Sequence, residues 1–150
     1  MSALVSRTEQ PSAFRQRLEV RGHEIYADLP VDQGGEGSAP DAHDYFDASL
    51  AACQALTAMW FAKKNGIPLE RVESRVERDD SEERRGRYKL SVQLGFHGPL
   101  TEDDRSRLYA AVARCPVSKL MTTTEVVIET SRLPPREPAY APKPEEERRC

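Results

Sequence analysis

Apolar and charged side chains take turns from Phe14 to Val20, where Leu18 and Val20 alternate with Arg15, Arg17 and Glu19, the period of a half-buried strand. Arg21-Gly22 suits a two-residue turn, and His23–Leu29 returns with Ile25, Ala27 and Leu29 on one face before Pro30 ends it. Residues 31–40 hold Gly34, Gly35 and Gly37 without an apolar run and read as a loop. At Asp41 the period changes to that of a helix. Asp41 can accept from the free N–H groups of the first turn, and Asp44 stands where a capping box places its reciprocal acid. Lys63, Lys64 and Asn65 followed by Gly66 make an ordinary helix ending. Between these ends Ala48–Ala62 carries no charge, so the helix is apolar on nearly every side and is expected to be buried on nearly every side. One small domain has too little material to wrap a helix of about 24 residues. A second subunit is therefore expected to supply part of the cover.

Beyond the helix, Val72–Arg78 predicts a strand and residues 79–86 a charged turn. Tyr88, Leu90, Val92, Leu94 and Phe96 alternate without a miss and predict the clearest strand of the chain. Thr101 caps a helix over Glu102–Arg114 with acids in its first turn, Cys115-Pro116 breaks it, and a short helix over Val117–Met121 follows. Glu125–Thr130 predicts a last strand. The order ββαββααβ is that of an α+β domain with sheet and helices segregated. The folded domain is expected over residues 13–131, with 1–12 a flexible lead and 132–150 a Pro-, Glu- and Arg-rich tail too polar to order itself.

Composition narrows the function by exclusion. The chain has 150 residues with 22 Lys+Arg against 25 Asp+Glu, a net charge of −3, which excludes a broadly cationic nucleic-acid binder. The uncharged stretch of the helix is shorter than the roughly 20 residues a membrane span needs. The N-terminus has neither a basic leader nor an apolar run, so the default expectation is a soluble cytoplasmic protein. Gly34-Gly35-Glu36-Gly37 is followed by no Lys-Ser/Thr and does not read as a phosphate loop. The cysteines are Cys53, Cys115 and Cys150; they form no C-x-x-C and have no His at zinc-finger spacing, so no metal site is expected. Cys150 reads as a bystander at the end of the tail.

Two readings of Cys53 and Cys115 stand side by side: small buried hydrophobes, or a reactive thiolate with a partner thiol. A free thiol with a pKa near 8.5 is only about 3% ionised at pH 7, and a dominant thiolate needs a drop of roughly 2–3 units, on the order of 3–4 kcal/mol. The helix dipole contributes about 0.3–1 kcal/mol and only within the first turn. Cys53 sits deeper than that, in an apolar setting that favours the neutral thiol. A close cation is required, and it must come from outside the helix. Arg15 and Arg17 are candidates, and Asp44 or Asp47 could hold such an arginine through a bidentate pair.

The string GGEGSAPDAHDYFDASLAACQALTAMWFAKKNGIPLERV, together with Cys115-Pro116-Val117 after LTEDDRSRL, resembles the OsmC/Ohr family (osmotically inducible protein C and organic hydroperoxide resistance protein). Phe14-Arg15-Gln16 and Ala27-Asp28-Leu29-Pro30 also match the lead-in of the OsmC-like branch. The resemblance spans roughly residues 13–131. It implies an OsmC-like α+β fold in which antiparallel sheets surround a long buried central helix carrying the reactive cysteine, in an intertwined homodimer. It implies Cys53 as the peroxidatic and Cys115 as the resolving cysteine, with Arg15 activating the thiolate across the dimer interface. Asp44 matches the acid that orients the arginine, although alignment with the Ohr pattern puts His43 there. Phe46, Met59 and Trp60 are expected to line an apolar substrate pocket. The implied activity is thiol-dependent reduction of organic hydroperoxides through a Cys53 sulfenic acid and a Cys53–Cys115 disulfide, recycled by an external, lipoyl-type dithiol without a cofactor. Two other functions keep the same cysteines: a non-catalytic protein binding an apolar ligand at the dimer interface, and a redox-sensing interaction protein.

Overall fold

The first hairpin follows from its alternation. In the structure, a computed structural model describing residues 3–134, strand β2 (Gln16–Val20) pairs antiparallel with β3 (His23–Ala27), placing Leu18 opposite Ile25. Arg21 and Gly22 both take positive φ, 48° and 81°, as a two-residue turn requires if its twist is to match the strands. Residues read as a flexible lead instead include β1 (Leu4–Thr8), antiparallel to β2 with Leu4 opposite Val20 and Thr8 opposite Gln16. Burial does not make this strand, since four of its five residues are exposed; the open hydrogen-bonding edge of β2 does. That edge is invisible to a hydrophobic pattern.

Helix α1 (Ala42–Asn65) begins with the expected capping box. The Asp41 carboxylate accepts from the Asp44 N–H at 2.8 Å, and the Asp44 carboxylate accepts from the Asp41 N–H at 3.0 Å. It stops at Gly66, whose φ of 65° suits glycine. Strands β4 (Arg71–Asp79) and β5 (Lys89–His97) form a separate antiparallel pair, with Val72 opposite Phe96 and Val76 opposite Val92. A second capping box, Thr101 with Asp104, opens α2 (Glu102–Val112), and Cys115 stands immediately before α3 (Pro116–Thr122).

The core lies between α1, the β4–β5 hairpin and α2. Ala58 and Ala62, one turn apart on α1, meet Ile67, Phe96, Leu108 and Val112. Small side chains on the helix let the other elements approach closely. Two hydrogen bonds hang α2 on β5: Arg105 donates to the Phe96 carbonyl at 2.7 Å and Tyr109 to the Leu94 carbonyl at 3.0 Å. The Phe96 and Tyr109 rings meet edge to face.

In the single chain α1 is covered on one side and open on the other, with Leu56 69% and Trp60 61% exposed; the rest of the cover is the part expected from a second subunit. The strand expected over Glu125–Thr130 is not formed among the described residues; the segment is irregular, with Val127 and Ile128 73% and 84% exposed. The β-branched run Val126-Val127-Ile128 favours a strand there, but a strand needs a neighbour to complete its hydrogen bonds, and no described residue provides one. The tail from residue 135 lies outside the described residues. No helix described is long and apolar enough to cross a membrane.

Leu108 is fully buried where the three layers meet. Leu108→Ala is expected to lower the unfolding free energy by about 3 kcal/mol, read from denaturant melts.

Candidate functional site

Cys53 and Cys115 reach one another although they come from different elements. Cys53 is half-buried in the middle of α1, and its side chain is near enough to that of Cys115 to alter its proton affinity. Cys115 is fully buried at the break between α2 and α3, where Pro116 takes the first helical position and the Cys115 N–H donates to the Val112 carbonyl at 3.0 Å. Burial pushes the Cys115 thiol above its ordinary value, as does the neighbouring Cys53 side chain. The N–H groups of Val117 and Ser118, aimed at the sulfur from the start of α3, oppose that rise without cancelling it. Cys115 therefore keeps its proton at rest. Both sulfurs are free thiols in this structure.

Cys53 opens onto a cleft of about 860 Å³ walled by Leu56, Trp60 and Phe61 of α1 and by Ala111, Pro116 and Val117. Arg114 supplies the only charge on this lining. Of the side chains expected to form a substrate pocket, Trp60 is here. Met59 faces a neighbouring hollow with Leu69, and Phe46 packs edge-on against Tyr88 beside His43. The stripe of large residues winds around the helix, and one cleft meets only part of it.

The expected arginine clamp exists, with a different arginine in it. Asp47 accepts from Arg78 Nε at 2.6 Å and Asp44 from Arg78 Nη2 at 2.8 Å, while Tyr88 donates to the other oxygen of Asp47 at 2.9 Å. The Asp41 N–H and Arg78 hold the Asp44 carboxyl below its usual range, whereas burial and Asp47 push the Tyr88 hydroxyl up to about 12. Arg15 lies elsewhere: it donates to Glu9 at 2.7 Å and to the Ser38 hydroxyl at 2.8 Å, and stacks 4.2 Å from the Tyr26 ring centre. Ser38 in turn donates to buried Asp28 at 2.7 Å. The loop closes tightly here, for a Cβ on Gly35 would stand 2.0 Å from the Leu29 carbonyl oxygen. Arg17 pairs with Glu24 at 3.2 Å on the exposed face of β2. Within one chain, then, the cysteines are together, but neither candidate arginine lines their cleft and Asp44 serves Arg78.

The description "OsmC-like protein" belongs to the family model that matches residues 35–131, about two thirds of the chain. The chain belongs to this family. Its fold is similar to that of an OsmC-like protein from Mycoplasma pneumoniae (18% identity, TM-score 0.65, covering 82% of this chain and 89% of that one). It is also similar to an organic hydroperoxide resistance protein OsmC from Legionella pneumophila (23%, 0.58, 82% and 90%) and to the organic hydroperoxide resistance protein OhrB of Bacillus subtilis (19%, 0.56, 82% and 91%). No curated protein sequence matches the chain.

In this OsmC-like chain, Arg78 and Arg114 are the site residues that sequence reasoning passed over. A signal for Arg78 was present: in β4 the inward positions are Val72, Ser74, Val76 and Arg78, so the arginine occupies a place in the alternation that an apolar residue would normally fill. Arg114 gave none, since it follows a charged helix and only the packing of α2 against α1 sets it beside the cleft.

His43, which one alignment offered as the acid's replacement, contacts Glu83 at 2.8 Å. That hydrogen bond raises the imidazole above its ordinary 6.5, against the unfavourable placement of a cation in the first turn of a helix. A raised folded-state pKa adds stability below the unfolded value, lost as pH rises through the folded one. His43→Gln is expected to lower Tm more at about pH 6 than at about pH 8, in paired thermal melts.

Proposed function

We propose that this OsmC-like protein is a thiol-dependent peroxidase acting on organic hydroperoxides. The contact between Cys53 and buried Cys115 at the wall of an apolar cleft carries the reading. The Cys53 thiolate attacks the distal oxygen of the hydroperoxide, an S–O bond forms as the O–O bond breaks, and the alkoxide leaves with a proton as the alcohol. Cys53 is thereby oxidised to a sulfenic acid. Cys115 condenses with it, releasing water and forming a disulfide, a pairing supported by the proximity of the two side chains. An external dithiol reopens the bridge by two exchanges and becomes a disulfide itself. The Legionella and Bacillus neighbours carry organic hydroperoxide resistance in their names, which accords with this chemistry.

A homodimer completes the proposed site. The outer face of α1 is apolar and open, Val126–Ile128 are exposed, and the β1–β3 sheet makes its main contacts within itself. Arg15 rides on that sheet, held by Glu9 and Ser38 rather than by Asp44. In the dimer it is brought beside the partner's reactive cysteine, supplying the cation that a thiolate in an apolar helix needs.

Cys53→Ser is expected to abolish consumption of tert-butyl hydroperoxide with dihydrolipoamide as reductant. Cys115→Ser should retain the first oxidation but stall turnover, leaving a dimedone-reactive sulfenic acid visible by mass spectrometry; full activity of the Cys53 variant would sink the reading. Cross-subunit action has a separate test. Arg15→Ala and Cys53→Ser chains, each inactive, are expected to regain activity when refolded together, because the mixed dimer holds one complete site. Mixtures no better than the parents would place Arg15 outside the site.

A further inference from the structure

We propose that buried Asp28 and its neighbour Ser38 are positioning residues for Arg15, a two-step hydrogen-bonded relay that fixes one edge of the guanidinium and leaves another free to act. The proposal rests on the peroxidase reading for what Arg15 acts on, but not for the relay itself. Asp28 follows β3 and is 5% exposed, the one buried charged side chain among the described residues. A buried carboxylate is costly unless its lone pairs are filled. Here one oxygen accepts from the Leu29 N–H at 2.8 Å, and the other from the Ser38 N–H at 3.1 Å and the Ser38 hydroxyl at 2.7 Å. These donors, the hydroxyl foremost, hold the carboxyl below its usual range, so it is ionised at neutral pH. Among the described residues no Lys, Arg or His pairs with it directly. Arg15 reaches it through Ser38, whose hydroxyl accepts from Nη1 at 2.8 Å.

Chemistry fixes the polarity of this relay. An ionised carboxylate only accepts and a guanidinium only donates, so the single hydroxyl proton of Ser38 goes to Asp28 and a lone pair to Arg15. Each bond polarises the hydroxyl in the sense that strengthens the other. The Ser38 carbonyl also accepts from Nη1, at 3.2 Å, and the Tyr26 ring supports the guanidinium plane. Glu9 accepts from Nε, but that pair is partly exposed and holds less firmly. Nη2 makes no hydrogen bond among the described residues. Its two N–H groups are the donors left over for a thiolate or a peroxide oxygen. The loop after β3 has to bend sharply to bring Ser38 back over Asp28. Gly35 permits the bend by carrying no Cβ against the Leu29 carbonyl, which instead accepts from the Gly37 N–H at 3.0 Å. The glycine-rich loop is thus the seat of the arginine.

Ser38 is exposed, so changes to its side chain spare the fold. Ser38→Ala, Ser38→Thr, Asp28→Asn and Arg15→Ala are to be compared in the full-length protein. Two readouts are taken: the rate of iodoacetamide alkylation of Cys53, followed by mass spectrometry of its peptide, and the NMR order parameter of the Arg15 Nε–H. Ser38→Ala is expected to slow alkylation about fivefold at about pH 7 but less than about twofold at about pH 10, where a thiol ionises without help. Ser38→Thr keeps the hydroxyl and should restore the wild-type rate. Asp28→Asn reverses the relay, because an amide donates to the hydroxyl where the carboxylate accepted, and should behave as Ser38→Ala does. The Arg15 order parameter should fall in Ser38→Ala and Asp28→Asn and hold in Ser38→Thr. Slowing by Arg15→Ala with none by Ser38→Ala would overturn the relay and leave the peroxidase reading intact. Equal slowing at both pH values, or no rescue by threonine, would assign Ser38 to the fold and overturn it too. A lowered order parameter in Ser38→Ala, with wild-type alkylation in Arg15→Ala, would remove Arg15 from the site and leave the relay standing.

Discussion

The close approach of α2 to α1 is the constraint on which the chemistry of this chain rests. Ala58 and Ala62 present almost no side chain toward Leu108 and Val112, so the two helices settle near one another, and the break after α2 then delivers Cys115 to Cys53. The same packing buries Cys115. Burial favours the neutral thiol, and this is where Cys115 rests. A thiol pair held this way is arranged for disulfide formation, but it does not by itself generate a nucleophile. Charge has to be brought in.

How the chain allocates its arginines therefore matters more than how many it has. Arg78 is consumed by structure: clamped by Asp44 and Asp47, it ties the first turns of α1 to β4, with Tyr88 completing the cluster. Arg15 is preorganised by Glu9, Ser38 and the Tyr26 ring on a sheet that is only lightly attached to the rest of its own chain. Arg114 is left uncompensated at the cleft.

One copy of the chain leaves much apolar surface in water, on the outer side of α1 and along Val126–Ile128. Exposed apolar area of this extent ordinarily marks an interface. The open face of the helix and the segment that lacks a strand partner are two views of one deficiency: backbone and side chains both want neighbours that a single copy does not have. The proposed dimer answers both, and it carries the arginine with it.

Much of this architecture was legible from local pattern alone. The capping boxes at Asp41 and Thr101, the stop at Gly66, the Arg21-Gly22 turn and the alternation of β4 and β5 depend on neighbours a few residues apart, where side-chain period and backbone hydrogen bonding act directly. The cysteine motifs, through their resemblance to OsmC-like proteins, also singled out the two thiols. What local pattern could not reach was every decision that turns on a distant neighbour. The free edge of β2 makes a strand of Leu4–Thr8, the want of an edge denies one to Glu125–Thr130, and the partner of Asp44 proves to be Arg78 because β4 lies over the start of α1. Charges and hydrogen-bonding edges carry no label for their mates in the chain; only packing in three dimensions, which brings some within about 3 Å and leaves others in solvent, selects among them.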